Sequence, residues 1–243
     1  MRISRVFVDT ELVVGEEIAL DKPRGHYLKH VLRLKSGAAL LLFNGREAID
    51  YHATLVFDGQ KMTARIESAI PLNTESRLGS EIIQGLGRAD HMDWMIQKTT
   101  ELGASKISLF NAARTQSPLK PAQLEKKLTH WRRVAISACE QSGRAIVPQV
   151  DFHATLSQAM EASVIKDKLL LDFGGADLTS VLHSSCAAVS ILLGSEGGLS
   201  QAEIQLAKTA GFTAVKLGPR VLRTETAATA ALAIVQASLG DLK

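Results

Sequence analysis

Along the first third of the chain, apolar residues come in short bursts separated by turn residues. ALLLF (39–43) is followed by Asn44-Gly45 and ATLVF (53–57) by Asp58-Gly59, and KMTARI (61–66) closes the series. Bursts of this length, bounded by dipeptides that tolerate positive φ, predict consecutive β-hairpins. One stretch breaks the rhythm: in GHYLKHVLRL, Tyr27, Leu28, Val31 and Leu32 fall at helical spacing with the basic residues on the other side. Residues 1–72 are therefore predicted to form a small β domain carrying one basic helix.

Pro71-Leu-Asn-Thr-Glu-Ser-Arg is polar and turn-rich, which sets a domain boundary near residues 72–78. Beyond it EIIQGL, KISLF, KLLLDF, VSILLG and TAVKLG alternate with helical patterns, predicting an α/β domain over residues 73–243 with a mainly parallel sheet. Met92, Met95, Ile96, Thr99 and Leu102 make one helical face ahead of Gly103. Leu124, Leu128, Trp131, Ala135, Ala138 and Cys139 make another ahead of Gly143. Ser200 and Glu203 fit a capping box, so a helix is expected from about Gln201 to Ala210, stopping at Gly211. The last helix, from about Glu225 to Ser238, is apolar on every side and should be buried between the sheet and a second subunit, with Thr224 as its cap.

A chain of 243 residues that is 46% hydrophobic and 22% charged can bury a full core, which excludes a disordered chain. Its longest apolar run, Ala38 to Phe43, falls far short of the roughly 20 residues of a membrane helix. The N-terminal MRISRVFVDTEL lacks the apolar stretch of a signal peptide, so a cytoplasmic protein is expected. Cys139 and Cys186 lack metal-ligand spacing and are expected to be packing thiols, with no metal bound. The net charge is only +3, yet from Lys22 to Arg46 the bases Lys22, Arg24, Lys29, Arg33, Lys35 and Arg46, with His26 and His30, occur without an acid. Such a patch suits a phosphate backbone through counterion release, and equally a solvated face.

Ligands of open parallel sheets bind beyond the carboxyl ends of the strands. Three glycine-bearing segments are expected there as loops: Asp172-Phe-Gly-Gly-Ala, Gly194-Ser-Glu-Gly-Gly-Leu and Leu217-Gly-Pro-Arg-Val-Leu-Arg. Together they could hold a flat heterocycle by main-chain hydrogen bonds; singly, each could be only a tight turn. Known phosphate fingerprints fail. Gly85-Leu-Gly87-Arg-Ala-Asp90 puts an acid where a dinucleotide site needs a small residue, and the Walker loop, paired Cys/His spacing and GxSxG elbow are all absent. Arg220, Arg223 and Glu225 cluster ahead of the apolar helix, as either an ion-paired clamp or a substrate site.

GSEGGLSQAEI and LGPRVLRTETAATAAL, with QKTTELG (97–103) and CEQSGR (139–144) upstream, resemble the RsmE family of the SPOUT superfamily, over essentially the whole chain from MRISRVF onward. The resemblance implies an N-terminal PUA-like β barrel that docks RNA and a C-terminal SPOUT α/β domain with a deep trefoil knot. It further implies a homodimer that uses S-adenosylmethionine to methylate N3 of a uridine in 16S rRNA, as free RNA or within the small ribosomal subunit. By that likeness Gly194, Glu196, Gly197, Gly198, Leu217, Gly218, Pro219, Val221, Leu222 and Thr224 line the cofactor pocket, and Asp172 and Phe173 contribute the third segment.

For such a reaction Arg223 or Arg88 is expected to favour the uracil anion, and Glu140 or Glu225 to accept the N3 proton. Arg88, Lys98, Arg114, Gln141 and Arg144 lie at strand or helix ends from which they could hold flanking phosphates; Arg2, Arg5, Arg24, Lys29 and Arg33 are the expected RNA contacts of the first domain. Two positions depart from the family pattern. Ser195 replaces a proline and gives up its fixed φ, and His91 replaces a common lysine, exchanging a permanent charge for an imidazole. A non-catalytic RNA-binding protein and a methyltransferase acting on another RNA are the competing readings.

Overall fold

The computed structural model describes residues 3–59 and 61–242. Two compact units emerge, one comprising Met1–Glu75 and Cys139–Val147, the other Ser76–Ala138 and Pro148–Lys243.

In the first unit β1 (Ser4–Phe7), β2 (Glu17–Ala19), β3 (Ala39–Phe43), β4 (Ile49–Asp58) and β5 (Lys61–Pro71) form a sheet in the order β1-β3-β4-β5-β2. β3, β4 and β5 are antiparallel, with Leu41 opposite His52 and Leu55 opposite Ala64, while β1 runs parallel to β3. Both expected turns form, with φ of +79° at Gly45 and +59° at Gly59, a region that side chains with a Cβ avoid. Alternate residues of β4, Tyr51, Ala53 and Leu55, are buried with Val6, Leu40, Leu42 and Ile66. The basic helical stretch departs from the even periodicity expected of it. α1 (Lys22–His26), capped by the Asp21 side chain, widens into a π turn over Tyr27–Val31, where the Leu32 N–H reaches the Tyr27 carbonyl at 3.0 Å. The wider turn buries Leu28 but leaves Tyr27 and Val31 49% and 60% exposed, so only part of the expected apolar face packs inward.

Packing explains why Cys139–Val147 belongs here: Cys139 and Ala145 are buried with Phe43 against Phe7, Leu72 and Val147. Two buried ion pairs lock the same region. Arg5 holds Asp50 at 2.6 Å, and Arg144 holds Glu75 at 2.9 Å while Glu75 also accepts the Ala145 and Ile146 N–H groups.

The second unit alternates strands and helices: β6 (Gly79–Gly85), α2 (Ala89–Glu101), β7 (Lys106–Phe110), α3 (Pro121–Ser142), β8 (Gln149–His153), α4 (Leu156–Glu161), β9 (Asp167–Asp177), α5 (Leu178–Val181), β10 (Ala188–Leu193), α6 (Gln201–Thr209), β11 (Thr213–Lys216) and α7 (Thr224–Leu239). The last residues of α3, from Cys139, group with the first unit. The sheet runs β11-β9-β10-β6-β7-β8, and every pairing is parallel. Central β6 is buried along nearly its whole length, its polar Ser80, Glu81 and Gln84 included. The Ser200–Glu203 capping box forms and opens α6 as expected.

Three details differ from expectation. Asp172–Ala176 is not a loop: it continues β9, which pairs with β11 across a register shift between Ala214 and Val215, and a Cβ at Gly175 would run into that backbone. Arg223, not Thr224, is the N-cap of α7, without a side-chain capping bond; the Thr224 hydroxyl instead donates to the Gly194 carbonyl at 2.8 Å. Finally, α7 buries Ala228, Ala231, Leu232 and Val235 and packs on α2, while Ala230 and Ile234 stay half-buried in the single chain. No helix among the described residues is long and apolar enough to cross a membrane.

Candidate active site

The carboxyl ends of β9, β10 and β11 surround a cavity of about 670 Å³. Its wall takes Asp172 and Phe173 from β9, the turn Gly194–Gly198 after β10, and Leu217, Val221, Leu222, Arg223 and Thr224 from the segment between β11 and α7. The three glycine-bearing segments thus meet in one place, and of the residues expected there only Gly218 and Pro219 are not on the wall. His91, Arg114 and Glu225 complete its charged side.

The geometry is set by a few hydrogen bonds. Gln84, fully buried at the end of β6, places its amide nitrogen 2.6 Å from the Gly194 carbonyl, 2.9 Å from the Thr224 hydroxyl and 2.9 Å from the Gly85 carbonyl. It therefore joins the turn after β10 to the start of α7. Gln84 was not among the expected site residues, although an amide following Ile82-Ile83 in the strand-like EIIQGL signals one, because a buried amide must find partners. The turn is held from its other side by the Arg114 guanidinium, which donates to the Gly197 carbonyl at 3.2 Å.

Glu196, in the same turn, points back to α2. Its carboxylate accepts the Arg88 N–H at 2.8 Å and lies 3.0 Å from His91 Nδ1. Gly87 leaves room for this, since a Cβ there would come within 2.6 Å of Glu196 Oε1. Burial works to raise the Glu196 carboxyl pKa, but the backbone N–H groups of Arg88 and Glu196 and the His91 ring outweigh it and hold the group below its ordinary range. Glu225, in the first turn of α7, is buried, and its Oε2 makes no hydrogen bond. Arg223 is exposed at the N-cap of α7 and shares the wall with Arg114, Arg220 and Lys216 as well as with the acids Asp172, Glu196 and Glu225.

The other expected site residues lie elsewhere. Arg88 is exposed beside Asp90, at 3.7 Å, and reaches the site only through its backbone. Glu140, Gln141 and Arg144 belong to the first unit, where burial raises the Glu140 carboxyl and its Oε1 accepts the Phe7 N–H at 3.0 Å. Arg5 and Arg144, expected to meet RNA, are instead buried in the ion pairs with Asp50 and Glu75, because each closes a carboxylate inside the unit. Arg24 is bonded to Asp21 at 2.6 Å, Lys98 to Glu101 at 2.8 Å, and Lys29 and Arg33 are exposed. Arg2 lies outside the described residues. Among the described residues no cluster of side chains could hold a metal ion.

The sequence pattern of the RNA methyltransferase domain matches residues 74–236. The chain belongs to the RNA methyltransferase family. An RNA methyltransferase PUA domain pattern matches residues 20–67 as well. The ribosomal RNA small subunit methyltransferase E of Buchnera aphidicola (Schizaphis graminum strain) is 32% identical over 242 residues, covering 99% of this chain and 98% of the relative. The protein of that name from Bacillus subtilis is 31% identical over 92% of this chain and 88% of its own length. Among solved structures, a Legionella pneumophila methyltransferase in complex with the cofactor SAM superposes with a TM-score of 0.94 at 32% identity, covering both chains fully. Ribosomal RNA small subunit methyltransferase E from Neisseria gonorrhoeae bound to S-adenosyl methionine gives 0.89 at 31% identity, also over both whole chains.

Proposed function

We propose that this RNA methyltransferase transfers the methyl group of S-adenosylmethionine to N3 of a uridine in the 16S rRNA of the small ribosomal subunit. The observation that carries the reading is the cavity in which main chain from β9, β10 and the approach to α7 converges, in a chain that matches two SAM-bound methyltransferases end to end. Its volume, about 670 Å³, is within the usual range of small-molecule sites. Ser195 Oγ, on the wall, is buried without a hydrogen-bond partner, as expected of a group that a ligand satisfies.

Bound there, S-adenosylmethionine supplies an electrophilic methyl carbon on a positively charged sulfur. The chain's own residues do the rest. The Gly194–Gly198 turn and the Leu217–Thr224 segment hold the donor so that N3 attacks in line; the carbon–sulfur bond breaks and its electron pair stays on sulfur. Arg223 offsets the charge of the uracil anion as the imide proton leaves. Glu225, on the wall with one oxygen unbonded, is the better placed acceptor for that proton, since Glu140 is engaged by the Phe7 N–H.

Residues 1–72 dock the RNA as a PUA-like barrel, supported by the PUA match and by exposed Lys29 and Arg33, and residues 73–243 carry the chemistry. The backbone of this α/β domain forms the deep trefoil knot of a SPOUT domain, a reading supported by the strand order β11-β9-β10-β6. Two copies pair through α7 and α2, supported by half-buried Ile234 and exposed Trp94, and the enzyme works in the cytoplasm, where ribosomes are assembled. The test is methyl transfer from labelled donor to free 16S rRNA and to small subunits, followed by mapping of reverse-transcription stops, which an N3-methyl group causes by blocking base pairing. Absence of label in either RNA refutes the function; label at another base refutes the N3 assignment.

A further inference from the structure

Three carboxylates converge on His91. Its Nδ1 lies 3.0 Å from Glu196 Oε1 and 3.6 Å from Glu225 Oε2, and its Nε2 lies 3.9 Å from Asp90 Oδ2. The side chains of His91, Glu225 and Glu196 are 17%, 10% and 30% exposed, so solvent screens these three less than Asp90, which is 68% exposed. Glu196 Oε1 has a second donor in the Arg88 N–H, whereas Glu225 Oε2 has no hydrogen bond. Two carboxylates facing one nitrogen at low exposure repel each other unless a positive charge stands between them. The Arg88 guanidinium does not supply it, being turned to Asp90 on the exposed side; the wall's other charged groups are Arg114, Lys216, Arg220, Arg223 and Asp172.

Resting on the methyl-transfer reading above, we propose that His91 is a positioning residue whose positive charge ties the Gly194–Gly198 turn, through Glu196, to the first turn of α7, through Glu225. With that charge in place, the turn that grips the donor and the helix that carries Arg223 at its N-cap keep one register. Without it, Glu196 and Glu225 move apart, and the donor and the guanidinium lose their alignment. Gln84 makes the same connection beneath, through the Gly194 carbonyl and the Thr224 hydroxyl, so His91 adjusts the upper side of a joint that is already closed below.

The test separates charge from shape. His91→Gln keeps a hydrogen-bonding group of similar reach and removes the charge; His91→Lys changes the shape and keeps it. The readouts are kcat and KM for S-adenosylmethionine on small subunits and the affinity for S-adenosylhomocysteine, with thermal midpoints to establish folding and His91→Asn as a second neutral variant. The neutral variants are expected to lose about tenfold or more in kcat/KM, roughly 1.4 kcal/mol of transition-state stabilisation, and His91→Lys to recover most of it. Folded neutral variants that match the native enzyme, or a folded His91→Lys as weak as they are, overturn the proposal. A native protein that binds no S-adenosylhomocysteine and methylates no RNA overturns the methyl-transfer reading, and this proposal with it.

Discussion

Replacing Gly194 with alanine should cost donor binding far more than it costs the fold. An added Cβ would stand 2.6 Å from Gly198 C and Leu199 N and 3.0 Å from Gly198 Cα, so the obstacle is main chain rather than the end of a side chain that could swing away. Opening the 2.6 Å contacts to an ordinary 3.4 Å needs about 0.8 Å of movement. Neither end of the turn gives readily. The Gly198 N–H donates to the Ser195 carbonyl at 2.8 Å, and the Gly194 carbonyl is held by Gln84 and Thr224. Overpacking of this kind costs about 1–3 kcal/mol. Because the strained turn is itself the cavity wall, a bound donor analogue feels the displacement directly. At about 2 kcal/mol, S-adenosylhomocysteine affinity falls roughly thirtyfold. Titration calorimetry measures this, with thermal unfolding alongside to show that the sheet survives. Affinity within about twofold of native, in a folded Gly194→Ala protein, would refute the assignment of this turn to the donor site.

Four further outcomes are expected. Arg223→Ala should lower methyl transfer by about a hundredfold or more while leaving the thermal midpoint unchanged, since the side chain is exposed and makes no capping bond; near-native turnover removes its role. Glu75→Ala should destabilise the protein by about 3–5 kcal/mol in chemical denaturation, because it takes away the carboxylate of the buried Arg144 pair and the acceptor of two backbone N–H groups. Glu196, with its pKa depressed in the folded protein, stabilises the fold above the ordinary carboxylate range and loses that contribution as the pH falls through the depressed value. Glu196→Gln should therefore flatten the acid side of the midpoint-against-pH curve. Burial pushes the Cys139 thiol up to about 12, so maleimide labelling at neutral pH should reach it only in unfolded protein.

The parallel sheet, the hairpin turns at Gly45 and Gly59 and the helix opened by Ser200 and Glu203 were legible because each rests on neighbours within a turn or a strand. Where tertiary packing decides, local pattern was silent or misleading. Asp172–Ala176 reads as a loop because Gly174 and Gly175 are poor strand residues, yet Gly175 is required where β11 closes against β9. Arg5 and Arg144 look like any exposed base, and only the carboxylates of Asp50 and Glu75, far along the chain, turn them inward.

The site depends on contacts of the second kind. Gln84, Gly194 and Thr224 meet at distances of 2.6 to 2.9 Å although they come from three separate strand ends and helix starts, and no period of 2 or 3.6 residues connects them. What the sequence does carry is misfit: an amide after the isoleucine pair of a buried strand, a glutamate at the head of an apolar helix, a histidine next to Asp90. Each would be costly to bury alone, and each finds its partner at this one cavity. A polar residue that contradicts the pattern around it therefore marks the site more specifically than the glycines do, since a glycine also serves any tight turn.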